Sequence, residues 1–196
     1  MVSFLVVYGT GEGQTARVAT RIAALIEDQG HELTTVDVES MGDEIAVGAF
    51  DAVLVGSSIH VSSHHSGIRA FVTTQQAALR DRPTGFFQLS LSSAVDDEKR
   101  QAAAAKYVDD LLEETGWQPD RIGLFGGALR YSKYGFLKRL LMKRIARGAT
   151  GDVDTARDYE YTDWDEVEAF AADFAAFVER RRGVDAPRSA KERADE

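Results

Sequence analysis

An apolar run, Phe4-Leu5-Val6-Val7-Tyr8, leads straight into Thr10-Gly11-Glu12-Gly13-Gln14-Thr15, and the residues beyond set Val18, Ile22, Leu25 and Ile26 on one helical face. The run has the length and composition of a strand buried on both sides. A strand that empties through hydroxyls and glycines into a helix is the geometry of a phosphate cradle. Glycines allow close backbone approach with converging N–H groups, the threonines add donors, and the helix N-terminus adds partial positive charge. An ordinary strand-to-helix turn would use the same glycines for geometry alone.

The loop's chemistry narrows the phosphate. A triphosphate loop ends in Gly-Lys-Ser/Thr, and Gln14 stands where that lysine belongs. Gly9, Gly11 and Gly13 break the Gly-x-Gly-x-x-Gly spacing of dinucleotide sites. Hydroxyl-rich and lysine-free, the loop suits a phosphomonoester held by neutral donors, as in flavin mononucleotide (FMN).

Other segments repeat the alternation. Residues 32–38 have period two, and Asp51-Ala52-Val53-Leu54-Val55-Gly56, Gly85-Phe86-Phe87-Gln88-Leu89-Ser90-Leu91 and Ile122-Gly123-Leu124-Phe125-Gly126-Gly127 read as strands. Between them, Ser66 is expected to cap a helix bearing Ile68, Phe71, Val72 and Leu79. Asp96 and Asp97 open one bearing Ala104, Tyr107, Val108, Leu111 and Leu112, which Gly116 ends. Asp163-Trp164-Asp165-Glu166 resembles a capping box ahead of Val167, Phe170, Ala171, Phe174 and Val178. Five strands alternating with helices imply an α/β fold, a doubly wound parallel sheet of flavodoxin-like order 2-1-3-4-5. Ligands then bind beyond the carboxyl ends of the strands, near residues 9–15, 57–65, 91–96 and the segment after Gly127.

With 196 residues the chain is one domain, expected over 1–182, with a charged tail from Gly183 expected to be disordered. It has no cysteine, so thiolate chemistry, disulfides and iron–sulfur ligation are excluded and any redox chemistry belongs to a bound cofactor. The net charge of −9 argues against nucleic acid as a partner. Neither a leader peptide nor a membrane span is apparent, which makes the expected location cytoplasmic. His60, His64 and His65 lack the carboxylate and cysteine company of a metal centre, so no metal is expected.

One stretch exceeds a minimal domain. Residues 130–158 form an insertion, and Arg130, Lys133, Lys138, Arg139, Lys143, Arg144 and Arg147 contribute seven bases to its first part without one acid. Tyr134, Leu137, Leu140, Leu141 and Ile145 share a helical face there. Such a basic amphipathic helix suits an anionic membrane or an acidic partner, and equally a helix packed on its own domain.

Several blocks resemble the menaquinone-dependent protoporphyrinogen IX dehydrogenases, flavodoxin-like enzymes with an insertion in strand five. They are Gly13-Gln14-Thr15, Gly56-Ser57-Ser58-Ile59-His60, His65-Ser66, Trp117-Gln118-Pro119-Asp120-Arg121, Gly126-Gly127-Ala128-Leu129-Arg130-Tyr131 and Tyr161-Thr162-Asp163-Trp164, in the family's order. The resemblance implies FMN, with Thr10, Gly11, Glu12, Gly13, Gln14 and Thr15 on its phosphate. Ser57, Ser58, Ile59 and His60 would lie along one side of the ring system. Ser90, Leu91, Ser92, Ser93, Gly127, Ala128 and Leu129 would hold its other edge. It implies oxidation of protoporphyrinogen IX and electron transfer to menaquinone in haem biosynthesis, which gives the bases of 130–147 two candidate jobs, peripheral membrane contact and pairing with porphyrin propionates. Arg130 is the candidate catalytic residue for offsetting charge on reduced flavin or binding a propionate, and Tyr131 for stacking on a ring. It also implies a short continuation of strand five near Tyr159-Glu160-Tyr161. A flavodoxin-type electron carrier and an FMN-dependent quinone reductase with another donor are the alternatives. A carrier calls for an acidic docking rim, where this chain places bases.

Overall fold

Alternate residues of the first strand part the core in two. In the computed structural model, which describes residues 1–42, 45–60, 62–94, 97–129, 154 and 158–183, Phe4 and Val6 of β1 (Ser3–Gly9) face one side of the sheet. Leu5 and Val7 face the other, and all four are fully buried. This is the period of a strand covered on both faces. β2 (Glu32–Asp37), β3 (Ala52–His60), β5 (Thr84–Ser90) and β6 (Arg121–Gly126) complete a parallel sheet in the spatial order β2-β1-β3-β5-β6. Counted along the chain, the five parallel strands have the expected order 2-1-3-4-5.

α1 (Gln14–Asp28) and α5 (Trp164–Arg182) cover the face that carries Phe4, Leu54, Phe87 and Phe125. α2 (Ser66–Thr74), α3 (Gln76–Arg80) and α4 (Glu98–Thr115) cover the face of Leu5, Val53, Val55 and Phe86. Gly56 leaves room for the Phe87 ring, since a Cβ there would collide with it. The ends of α4 and α5 follow the sequence signals. Asp97 accepts from Arg100 N at 3.0 Å, Asp163 accepts from Asp165 N and Glu166 N, and Gly116 and Gly183 close the helices at φ 65° and 66°.

Three local features differ from expectation. The helix from Ser66 breaks at Gln75 into α2 and α3, where the Thr73 and Thr74 hydroxyls donate to Arg69 O and Ala70 O and weaken the last turn. Its cap is His65 rather than Ser66, with Nδ1 accepting from Gly67 N at 3.3 Å. β3 runs on to His60 and folds back as β4 (Ser63–His64), antiparallel to it.

Beyond β6, β7 (Ala128–Leu129) pairs antiparallel with β8 (Tyr159–Glu160) in a separate two-stranded sheet. The continuation of strand five therefore forms as an antiparallel pair rather than as an extension of the parallel sheet. A chain that leaves after Leu129 and returns at Tyr159 runs back past itself, which favours antiparallel pairing. The basic stretch 130–147, with Arg130 and Tyr131, lies outside the described residues, as does the tail after Gly183. Among the described residues no helix is long and apolar enough to cross a membrane.

Candidate functional site

The carboxyl ends of β1, β3 and β5 and the β6–β7 turn meet around a cavity of about 60 Å³, room for a small group such as a phosphate. β1 and β3 are adjacent in space while β2 lies on the far side of β1, so this is where the winding reverses and a crevice must open. Thr10, Glu12, Gln14 and Thr15 line it from the loop, Ser58, Ile59 and His60 from β3, Leu89, Ser90 and Leu91 from the end of β5, and Gly127 and Ala128 from the turn.

Within the loop, Gly13 takes φ 95°, the left-handed conformation that lets the chain turn into α1 without a Cβ clash. Thr10 Oγ1 accepts from Gly13 N at 2.9 Å and pins the turn. The Thr15 and Ser58 hydroxyls are buried and have no hydrogen-bond partner among the described residues. The His60 imidazole lies so close over Gly11 that a Cβ there would collide with it.

Other residues expected at the site frame it instead. Ser57 is buried, its hydroxyl accepting from His65 N at 3.0 Å and donating to Ser58 O at 3.2 Å. Ser93 N donates to Ser90 Oγ at 3.0 Å in the short turn that Ser92 begins. Leu129 is fully buried, packed against Leu91, Tyr159 and Tyr161.

The three clustered histidines have separate surroundings. His60 covers the loop, and His65 caps α2 with Nε2 3.3 Å from Glu39 Oε1. His64 sits 2.8 Å from Gln88 Oε1 through Nε2, and Gln88 Nε2 donates to Ala104 O at 3.0 Å. With Gln88 nitrogen committed to a carbonyl, its oxygen must accept, so His64 is the donor and carries its proton on Nε2. Burial holds the His64 pKa below the usual imidazole range, against the opposing pull of the Gln88 hydrogen bond. The unfolded chain therefore binds the extra proton more readily. His64 contributes stability in full above the unfolded imidazole value of about 6.5 and loses it as pH falls below that. Thermal melts between pH 7.5 and pH 5 should show a steeper loss for wild type than for His64→Gln; parallel losses would contradict the buried neutral imidazole.

A residue that motif reading quoted without assigning a role also reaches the loop. Gln14 Nε2 donates to Thr162 Oγ1 at 2.9 Å, and Thr162 Oγ1 donates to Gly126 O at 2.7 Å. Arg17 donates to Gln14 Oε1 at 3.2 Å, pairs with Glu160 and lies 5.5 Å from the Trp164 ring centroid. Trp164 Nε1 completes the cluster by donating to Glu160 Oε1 at 3.1 Å. Its only sequence signal is the Tyr161-Thr162-Asp163-Trp164 block.

Comparison with known proteins agrees with this geometry. The flavodoxin domain family matches residues 5–156. The chain is 30% identical over 176 residues to the protoporphyrinogen IX dehydrogenase (quinone) of Escherichia coli strain K12, covering 90% of this chain and 96% of that relative. Its counterpart from Leishmania major is 31% identical over 173 residues, covering 88% and 74%. Among solved structures, a short-chain flavodoxin associated with a PDU bacterial microcompartment superposes with a TM-score of 0.55 at 13% identity, covering 91% of this chain and 99% of that one. Oxidised flavodoxin 1 from Bacillus cereus gives 0.52 at 12% identity, covering 90% and 97%. The structural likenesses establish the fold, and the sequence relatives go further: this chain belongs to the flavodoxin domain family and, within it, to the protoporphyrinogen IX dehydrogenases (quinone).

Proposed function

We propose that the chain is an FMN-dependent enzyme that oxidises protoporphyrinogen IX to protoporphyrin IX and passes the electrons to menaquinone, a step in haem biosynthesis. The observation that carries the reading is the pair of buried hydroxyls, Thr15 Oγ1 and Ser58 Oγ, which have no partner among the described residues and belong to residues lining the cavity at the start of α1. An unsatisfied buried hydroxyl costs about 1–3 kcal/mol. A ligand bringing oxygen acceptors to this corner removes that cost, and the α1 N-terminus favours those oxygens as anionic. The loop supplies no lysine, in keeping with a monoester rather than a triphosphate.

Thr10, Gly11, Glu12, Gly13, Gln14 and Thr15 would hold the phosphate. Ser57, Ser58, Ile59 and His60 would flank one side of the ring system, with Ser90, Leu91, Ser92, Ser93, Gly127, Ala128 and Leu129 along the other edge. Bound there, FMN supplies the two-electron redox chemistry, for which the cysteine-free chain has no group of its own. The protein's part is to orient the substrate and tune charge. Arg130 is the proposed partner of a porphyrinogen propionate or of negative charge at the ring, and Tyr131 a stacking surface. The names of the curated relatives support the substrate and a quinone acceptor. Menaquinone would be reached from the cytoplasmic side, with bases of 130–147 against the anionic membrane face.

Under anaerobic conditions, FMN-loaded protein should turn protoporphyrinogen IX into fluorescent porphyrin only when a menaquinone analogue is present. Quinone reduction by another donor, with no porphyrin formed, would move the chain to the quinone-reductase alternative.

A further inference from the structure

Thr162 lies 148 residues from Gln14 in sequence, yet their side chains are hydrogen-bonded, and the direction of that bond has a consequence for the loop. A threonine hydroxyl has one proton. Gly126 O can only accept, so at 2.7 Å it takes that proton. The Thr162 oxygen is left as an acceptor, and only the nitrogen end of the Gln14 amide can satisfy it, at 2.9 Å. The oxygen end is thereby turned toward the Arg17 guanidinium, 3.2 Å away. Gln14 is buried and lines the cavity, so the orientation of its amide decides whether that wall offers N–H donors or a carbonyl. A phosphomonoester needs donors, and a carbonyl facing it would repel.

We propose that Thr162 is a positioning residue of the cofactor site, which holds the Gln14 amide nitrogen-first so that the loop accepts a phosphate. The inference rests on the FMN reading and goes beyond it by giving a role to a residue outside the loop, on the segment that returns from the insertion. Arg17, clamped to Glu160 and to Gln14, fixes the other end of the same amide.

The test compares FMN with riboflavin, which lacks the phosphate, by quenching of flavin fluorescence on binding to the full chain. Thr162→Val keeps the shape and removes the hydroxyl. It should raise the Kd for FMN about tenfold, the worth of one net hydrogen bond, and leave riboflavin binding unchanged. Thr162→Ser should restore wild-type affinity, and Thr162→Val should add nothing in a Gln14→Leu background. Should Thr162→Val fail to fold, Thr162→Ala carries the test: it too removes the hydroxyl, and the same loss for FMN alone is expected. Unchanged FMN binding, equal losses for FMN and riboflavin, or an effect that persists in Gln14→Leu would overturn the positioning role. A wild-type protein that binds FMN no more tightly than riboflavin would overturn the phosphate reading on which it stands.

Discussion

Replacing Phe174 by alanine should lower the free energy of unfolding by about 3–5 kcal/mol, the cost of emptying a large aromatic site in a rigid core. The Phe174 ring is fully buried, meets Phe4 edge-on at 6.1 Å between centroids, and fills the space beneath Gly85, where an added Cβ would come within 3.1 Å of it. Glycine has no side chain to collapse into the vacancy, and Leu54 and Phe4 belong to strands that pair on both edges. The void would therefore persist. Against a typical total of about 5–15 kcal/mol, the loss is severe. Phe177, one turn along α5, is the control: it is only partly buried, beneath the guanidinium of Arg121 at 4.2 Å, and its removal should cost much less. Urea titrations followed by circular dichroism would measure both. Equal losses would mean that α5 is not seated on the sheet as described.

On the FMN reading, Thr15→Val should weaken cofactor binding by roughly 10- to 100-fold, since hydrogen bonds to charged groups contribute about 1.5–3 kcal/mol. The substitution keeps the β-branched shape in the first turn of α1 and removes only the buried hydroxyl, which has no partner among the described residues. Without ligand it should be neutral or stabilising, because an unsatisfied polar atom leaves the interior. Opposite signs for stability and binding are the signature of a group held ready for a ligand. Thr15→Ser should keep most of the affinity. Flavin fluorescence titration reads the binding and thermal melts read the apoprotein; loss of stability with unchanged FMN affinity would make Thr15 a structural residue.

What could be read from the chain is what periodicity and end signals encode. Phe4–Val7, Val53–Val55 and Phe86–Phe87 are short apolar runs with few alternatives to a buried strand, and Asp97 and Gly116 mark the ends of α4 through local chemistry. The loop at 10–15 announced its cavity because the strand, hydroxyls and helix start are contiguous. The break at Gln75 was hidden, since threonine hydroxyls bonding back to Arg69 and Ala70 leave the apolar spacing intact. The fold-back of β4 was hidden too, because it depends on Ser62 at φ 64°, a left-handed residue that is not glycine. The Gln14–Thr162–Gly126 chain depends on contacts between distant segments. Arg82 is similar: its donors reach Ala78 O, Val47 O and Phe50 O and tie two loops together, with no motif to signal it.

The pairing of Leu129 with Tyr159 has a wider consequence. Where two chain ends emerge side by side and already bonded to each other, the sheet beneath is indifferent to the length of what joins them, and closing a longer loop adds little entropy cost. The fold thus has a socket beside its cavity, into which evolution or an engineer can splice segments of different size and charge. On the FMN reading, such a splice would leave the loop at 10–15 and its cavity as they are.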